Sequence, residues 1–450
     1  MTQAKPFNPG MVNAYNPATS EPLPAYEQAM IDRRDRLLGP AYRLFYQKPL
    51  HIVRGDGVWL EDPEGNRYLD VYNNVTSVGH CHPRVVEAIN TQNAILNTHT
   101  RYLHDTILNY AEDLLGTFPQ HLRNVMFTCT GSEANDLAYR IAKDVTGGTG
   151  VIVTSLAYHG ISDAVSQFSP SLGSYVPLGK HVRAITAPNS YRRNPETLAD
   201  DFAADVQKAI VDMEENGIKL AAFYCDGIFS SDGVFADPPG FLAKAVDAVR
   251  KAGGLYVADE VQPGFGRLGH GLWGFSRHSV APDMVTIGKP MGNGFPIAAV
   301  VMRPELIDNF GRNARYFNTF GGNPVACTAA QSVLNVIRDD KLVENANIVG
   351  AQMLSGMRKL AEKHEVLGNV RGAGLFVGVE LVKSREAKEP DATSTTRLVN
   401  GLRKRRVLIG AAGPGANVLK IRPPLIFSSE NVEMLVNSMD AVLTEMRNPT

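Results

Sequence analysis

A chain of 450 residues is too long for one small hydrophobic core, so its length predicts a large domain with a smaller one attached. The 44% hydrophobic and 20% charged residues are typical of an ordinary globular protein and exclude a disordered chain. The formal net charge of -1 and the lack of any Lys/Arg run argue against a surface for nucleic acid or anionic membranes.

The cysteines and the first residues bear on the cellular compartment. The four cysteines are widely spaced and form no CxxC pair, which argues against a disulfide framework and against a zinc ribbon. Met1 to Tyr15 is polar and lacks the apolar core of a signal peptide, and no stretch is apolar for long enough to span a bilayer. We therefore expect a cytoplasmic protein.

The N-terminal part of the chain predicts a hairpin followed by helices. Gly55–Arg67 has a hairpin-like pattern, and we expect residues 1–71 to pack with the small domain. Pro83–Leu115 has a largely helical pattern.

Residues 72–325 alternate apolar runs with helical patterns, which predicts a large α/β domain built on a mostly parallel sheet. Phe241–Ala252 has apolar residues at helical spacing and Gly253 just past its end, so one strand-helix-strand unit is explicit. Six apolar runs are the predicted strands: Gly150–Ser155, Val182–Ala187, Lys219–Cys225, Leu255–Asp259, Met284–Ile287 and Ile297–Met302.

Residues 326–450 are predicted to form a small α+β domain. Two long helical patterns, Asn323–Ile337 and Leu342–His364, separate the sheet from this part of the chain. Gly374–Leu381 and Val418–Ile421 carry the signals of strands.

Two chemically useful side chains follow neighbouring predicted strands. Asp259 ends one strand and Lys289 comes just after another. Because ligands bind at the carboxyl ends of strands in an open parallel sheet, both side chains are expected in one cleft. An amine in such a place can form an imine, whereas a plain Asp–Lys ion pair is the alternative that these two residues alone leave open.

A second group of residues predicts an anion site beside this cleft. Gly131 and Ser132 precede the helical pattern Ala134–Val145 and could aim backbone N–H groups and a hydroxyl at a phosphate. The alternative is that Ser132 simply caps an ordinary helix. Tyr158 follows a predicted strand and offers an aromatic face for a flat ring, although a single tyrosine in such a place is more often a core residue.

Two further motifs are interpreted as structural. Gly264–Gly269 matches the dinucleotide-binding pattern G-x-G-x-x-G but does not continue into a helix, so we expect a loop. His80-Cys81-His82 lacks a second ligand cluster, so we expect a turn and no metal site.

Six short motifs occur along the chain in this order: Gly131-Ser132-Glu133-Ala134-Asn135, Tyr158-His159-Gly160, Asp259-Glu260-Val261-Gln262, Gly288-Lys289, Asn318-Thr319-Phe320-Gly321-Gly322-Asn323-Pro324 and Arg422-Pro423-Pro424. Together they resemble the class-III aminotransferase family over nearly the whole chain. Each motif is weak alone, but the six in order are specific. The resemblance implies the α/β PLP-dependent transferase fold type I, with pyridoxal 5′-phosphate (PLP) as the cofactor.

The resemblance also implies roles for the matching residues. Lys289 would carry PLP as a Schiff base and then act as the base at the substrate Cα, while Asp259 would keep the pyridine nitrogen protonated. Val261 and Tyr158 would enclose the ring, and Gln262 would contact its phenolic oxygen.

Two more implied roles concern the cofactor phosphate. Gly131 and Ser132 would bind it within the same chain. In this family Thr319 contacts the PLP phosphate of the neighbouring subunit, so the resemblance implies a homodimer with active sites at the interface.

Three further stretches resemble the phospho-lyase branch of the family, which acts on ethanolamine phosphate or 5-phosphohydroxylysine. In addition, Asp226-Gly227 stands where many aminotransferases of the class have Glu-Pro. The three stretches are Asn73-Asn74-Val75, Gly79-His80-Cys81-His82-Pro83 and Leu96-Asn97-Thr98-His99-Thr100-Arg101-Tyr102-Leu103-His104. This resemblance implies elimination of phosphate from an O-phosphorylated amino alcohol. The alternative is an omega-aminotransferase that moves an amino group to a keto acid.

An O-phosphorylated substrate requires an anion pocket. Arg422 matches the arginine that the family uses for a substrate carboxylate, and a guanidinium suits phosphate equally well. Arg101 and Asn74 are further candidates from the lyase-like stretches, with a loop or dimer contact as the open alternative for each.

Overall fold

A computed structural model describes residues 11–18, 20 and 22–447 of the chain. The predictions for Met1 to Tyr15 and for the end of the small domain therefore lie partly outside the described residues. Helices and strands alternate through the middle of the chain. The strands are β1 Arg54–Asp56, β2 Trp59–Glu61, β3 Arg67–Asp70, β4 Asn124–Thr128, β5 Gly150–Thr154, β6 Val182–Ile185, β7 Leu220–Cys225, β8 Leu255–Asp259, β9 Met284–Ile287, β10 Ala298–Met302, β11 Leu367–Ala373, β12 Phe376–Leu381, β13 Val407–Leu408, β14 Gly410–Ala412 and β15 Val418–Ile421.

The helices cover both faces of the largest sheet and surround the smaller ones. They are α1 Ala25–Leu38, α2 Pro83–Ile95, α3 Asp105–Leu115, α4 Gly131–Thr146, α5 Asp163–Ser166, α6 Leu198–Glu215, α7 Ala243–Lys251, α8 Pro304–Asn313, α9 Pro324–Asp339, α10 Leu342–Lys363, α11 Ala392–Lys404 and α12 Ser429–Arg447. None of the helices in the described ranges is both long enough and apolar enough to cross a membrane.

The largest sheet has seven strands in the order β4-β10-β9-β8-β7-β5-β6. Its pairings are parallel except those of β10, which runs antiparallel to both β4 and β9. Val151 and Val153 point into the core on one face while Ile152 points into the core on the other. Burial on both faces explains why these strands are continuous apolar runs. The predicted, mostly parallel α/β sheet is therefore confirmed, with β4 as a strand that the sequence did not reveal.

Two four-stranded sheets lie outside the large one. β13 pairs in parallel with β3, which places Val407 beside Leu69 and joins the N-terminal segment to the C-terminal part of the chain. The other sheet, β11-β12-β15-β14, is antiparallel throughout. The predicted domain limits at residues 71 and 325 stay predictions.

The two motifs interpreted as structural lie in turns. Gly264–Gly269 forms successive turns after β8 and begins no helix. His80 is held by a 2.7 Å hydrogen bond between its Nε2 and Oδ2 of Asp70. Within the described ranges, no three His, Cys, Asp or Glu side chains gather closely enough to hold a metal ion.

Candidate active site

The carboxyl ends of β8 and β9 form the floor of a cleft. These strands pair in parallel, with Asp259 opposite Thr286, so Asp259 and the nearby Lys289 reach the same edge of the sheet. The cleft has a volume of about 320 Å³, within the usual range for small-molecule sites. Seven predicted site residues line it: Gly131, Ser132, Tyr158, Asp259, Val261, Gln262 and Lys289.

Asp259 is buried and fixed by three hydrogen bonds. Its Oδ2 lies 2.7 Å from Nδ1 of His159 and accepts from Nδ2 of Asn135 at 3.0 Å. Its Oδ1 accepts from the backbone N–H of Val261 at 3.0 Å. Asn135 is fixed in turn, because its Oδ1 accepts from the hydroxyl of Thr286 at 2.8 Å. This shell holds the carboxylate in one orientation at the end of β8.

Lys289 lies in a short 3₁₀ turn, Lys289–Gly292, directly after β9. Its Nζ is 5.7 Å from the ring centroid of Tyr158, across the cleft. Burial lowers the pKa of this amine, Asp259 raises it and Arg422 lowers it further. A lowered pKa increases the neutral fraction of the amine, which is the form that attacks carbonyl groups and accepts protons.

The first turn of α4 forms one end of the cleft. The helix begins at Gly131, and Thr130 is its N-cap, because the Thr130 side chain accepts a hydrogen bond from the N–H of Glu133. The alternative that Ser132 caps this helix is therefore wrong. Ser132 lies inside the first turn, and its Oγ accepts from the backbone N–H of Ile161 at 3.1 Å. Backbone N–H groups of a helix N-terminus can bind a phosphate here.

The surroundings of this turn leave no room for larger residues. A Cβ on Gly160 would lie 2.6 Å from Ser132 Oγ, and one on Gly131 would lie 3.1 Å from both methyl groups of Val261. The cleft thus combines a helix N-terminus, a fixed carboxylate, an amine and two walls, Val261 and Tyr158. This set of groups fits PLP, whose phosphate, pyridine nitrogen and aldehyde need an anion site, a carboxylate and an amine.

Replacing Gly160 with alanine is expected to weaken PLP binding. Gly160 has a φ of +148°, and the added methyl group would collide with Ser132. Backbone strain of about 1–3 kcal/mol corresponds to a loss of affinity of roughly tenfold to a hundredfold. The loss of PLP affinity is measured by titrating the apoenzyme of the variant with PLP. Gly173→Ala is the matched control, since Gly173 has a φ of +87° and open space around it. Equal PLP affinities for both variants would contradict the packing described for Gly160.

The remaining predicted residues divide into two groups. Arg422 and Asn74 are next to the cleft residue Gln262 but do not themselves line the cleft: Nη1 of Arg422 donates to Oε1 of Gln262 at 2.7 Å and to Oδ1 of Asn74 at 3.2 Å. Thr319 is exposed and does not line the cleft, and neither does Arg101, whose guanidinium lies 3.9 Å from the ring centroid of Phe317. A single chain therefore does not bring Thr319 and Arg101 to the site.

Some polar residues of the site were not singled out from the sequence. His159 and Asn135 belong to the motifs Tyr158-His159-Gly160 and Gly131–Asn135, but their contact with Asp259 depends on the fold. Asp226 was noted in the sequence only because it stands where many aminotransferases of the class have a glutamate; it lines the cleft, and burial raises the pKa of its carboxyl group despite hydrogen bonds from Ser230. Lys420, on β15, carries a buried amine near Asp226, and its sequence context gave no signal for a site.

Comparison with known proteins agrees with this geometry. The family model for class-III aminotransferases matches residues 44–443. The chain belongs to this family. Members of the class-III family depend on PLP, and the fold is the α/β fold type I that the motifs implied.

Individual relatives within the class-III family carry two kinds of name. The chain is 38% identical over 441 residues to the ethanolamine-phosphate phospho-lyase homolog 1 of Caenorhabditis elegans, covering 93% of this chain and 94% of that protein. It is 40% identical over 428 residues to the alanine–glyoxylate aminotransferase 2-like protein of Drosophila melanogaster, covering 92% and 86%. A solved structure of a phospholyase from Arthrobacter in complex with phosphoethanolamine is 42% identical, with a TM-score of 0.90, and the match covers 92% of this chain and 99% of that one.

Proposed function

We propose that this class-III enzyme is a phospho-lyase that eliminates phosphate from an O-phosphorylated amino alcohol such as ethanolamine phosphate. One observation carries the proposal. Arg422 is buried, and its guanidinium contacts Tyr72 and the amide oxygens of Gln262 and Asn74, but within the described part of the chain it has no carboxylate at ion-pair distance. Its Nε is buried without any hydrogen-bond partner. A buried guanidinium in this condition favours an anionic ligand.

The reaction balances without a second organic substrate. Ethanolamine phosphate and water give acetaldehyde, ammonia and inorganic phosphate. PLP, when bound, supplies an electron sink for the carbon next to the substrate nitrogen. Lys289 accepts the proton from that carbon, and its lowered pKa increases the fraction of the amine that can accept it. Arg422 holds the phosphate group and stabilises its charge as the carbon–oxygen bond breaks.

The hydrogen bonding of Asp226 also supports elimination. Asp226, which stands where many aminotransferases of the class have a glutamate, accepts hydrogen bonds from the backbone N–H and hydroxyl of Ser230. It therefore does not neutralise Arg422 by a direct ion pair. The phospholyase from Arthrobacter and the protein from C. elegans support the same reaction by their similarity.

The second candidate function is an omega-aminotransferase reaction that moves an amino group to a keto acid. Arg422 is compatible with this second function, because a guanidinium binds a carboxylate as well as a phosphate. The relative from Drosophila carries an aminotransferase name, which supports this alternative. The two functions differ in their products, because transamination requires a keto acid and releases no phosphate.

Product analysis tests the proposal. Purified holoenzyme is incubated with ethanolamine phosphate, with and without glyoxylate or pyruvate. The proposal expects phosphate, acetaldehyde and ammonia in equal amounts, at a rate that the keto acid does not change. An amino-acid product that forms only with keto acid, with no phosphate, would establish the aminotransferase instead.

We also propose that the active enzyme is a homodimer in the cytoplasm. Apolar side chains next to Arg101 and Thr319 in the sequence are exposed in the single chain, including Leu103, Tyr102 and Phe320 with 99%, 66% and 69% of their surface accessible. Such a cluster is typical of a protein interface. Light scattering on the purified holoenzyme would measure twice the mass of one chain. A monomer that retains full activity would contradict the dimer.

A further inference from the structure

Lys420 and Arg422 project from the same side of one strand end. Lys420 lies within β15, and Arg422 comes directly after its last residue. Residues two apart on a strand point to the same face of a sheet. Phe376 on β12 confirms the convergence: Nζ of Lys420 and Cζ of Arg422 lie 5.7 Å and 5.9 Å from the centroid of its ring. Two cationic groups are thus held around one aromatic ring.

The residues opposite Lys420 on both neighbouring strands are glycines. Lys420 is paired with Gly378 on β12 and with Gly410 on β14. Cross-strand partners share a face, so side chains at these two positions would lie beside the lysine. A Cβ on Gly378 would be 2.9 Å from Val234 and one on Gly410 would be 2.8 Å from Tyr72. Val234 and Tyr72 therefore occupy the space beside these two glycines.

Lys420 is buried without a direct partner for its charge. It is 8% exposed, and its Nζ forms no ion pair or side-chain hydrogen bond with any described residue. Burial lowers the pKa of the amine strongly, as does the charge of Arg422, whereas the Asp226 carboxylate raises it. The charge of Lys289, which lines the cleft, also lowers the pKa of this amine. An anion bound between the lysine and Arg422 would favour the charged form of the lysine and so offset the effects of burial and of the guanidinium.

We propose that Lys420 and Arg422 form a two-cation subsite that selects a doubly charged phosphate over a singly charged carboxylate. Asp226 balances the charge of Lys420 when the subsite holds no anion. The inference rests on the proposed function, since it assigns the substrate phosphate of that reaction to this subsite. A phosphate monoester carries nearly two negative charges above pH 7, whereas a carboxylate carries one and leaves one cation unmatched.

The test measures anion binding separately from the reaction. Inorganic phosphate and acetate are titrated by calorimetry into PLP-loaded enzyme, in which the cofactor occupies the anion site at Gly131 and Ser132. For Lys420→Met we expect phosphate affinity to fall about tenfold to a hundredfold, the worth of one or two charge-assisted hydrogen bonds, with acetate changed less than about threefold. Lys359→Met removes an exposed lysine and should change neither affinity.

Kinetics give a second measurement on the same variants. The KM for ethanolamine phosphate should rise in Lys420→Met by the factor lost in phosphate affinity, while kcat stays within about threefold. If Lys420→Met does not fold, Lys420→Arg and Lys420→Gln make the same comparison: the first should retain phosphate binding and the second should lose it.

The outcomes separate this inference from the proposed function. Unchanged phosphate affinity in Lys420→Met, or an equal loss for phosphate and acetate, would overturn the subsite. If phosphate binding depends on Lys420 but no amine phosphate releases phosphate, the subsite stands and the lyase reaction fails. If ethanolamine phosphate is cleaved with the same KM in Lys420→Met and in the unchanged enzyme, the lyase stands and the subsite fails.

Discussion

Replacing Lys289 with alanine is expected to lower the rate of phosphate release by about 10⁴-fold or more, because one side chain both attaches the cofactor and moves the substrate proton. Lys289 follows β9 with its amine facing Tyr158 across the cleft, and among the described residues no other lysine lines that space. Phosphate release from ethanolamine phosphate measures the effect.

Mass spectrometry provides the matching structural readout. Borohydride reduction of the unchanged holoenzyme should fix the cofactor on the peptide that contains Lys289, and the alanine variant should give no such adduct. Lys359→Ala, at an exposed position of α10, is the control and should retain both adduct and activity. Full activity in Lys289→Ala would show that the chemistry lies elsewhere.

Replacing Asp259 with asparagine is expected to lower the rate on the order of 10³-fold, since the amide is nearly the same size but cannot hold a proton on the cofactor ring. The carboxylate is held by His159, Asn135 and the N–H of Val261, so the change removes a charge that is already oriented. Phosphate release is again the measurement. The variant Asp259→Glu keeps the negative charge but moves the carboxylate, so it tests whether the charge alone supports the reaction.

The same substitution has a second effect that depends on pH. Asp259 raises the pKa of Lys289, so Asp259→Asn should lower that pKa further. A lower pKa means that the neutral amine is present at lower pH, and the pH profile for PLP capture by the apoenzyme should therefore shift to lower pH. A shift to higher pH, or an unchanged rate of phosphate release, would contradict the role given to Asp259.

The sheet was predictable because its strands are buried on both faces. β8 and β9 match their predicted limits, and β7 differs only by the exclusion of Lys219. β4 was missed because Asn124 is exposed and its neighbours are half-buried, so Asn124–Thr128 lacks a continuous apolar run. β11, which the sequence also did not reveal, contains two glycines and an arginine.

The site was predictable where a residue follows a strand or belongs to a motif, as Asp259 and Lys289 do. Contacts between distant segments were not predictable from such local patterns. The environment of Arg422 requires Asn74 and Gln262, which are separated from it by 348 and 160 residues. A lysine within a strand is usually solvated, so the burial of Lys420 emerged only from the packing of β12 and β14 around it.

The fate of the bound cofactor is the most direct test of the central claim that this enzyme eliminates phosphate. Holoenzyme is mixed with a large molar excess of ethanolamine phosphate in the complete absence of keto acid, while phosphate and the visible spectrum are recorded together. We expect phosphate to equal the substrate added, far above the enzyme concentration, with the pyridoxal form of the cofactor retained. Conversion of the cofactor to the pyridoxamine form after a single turnover, with no phosphate released, would contradict the account.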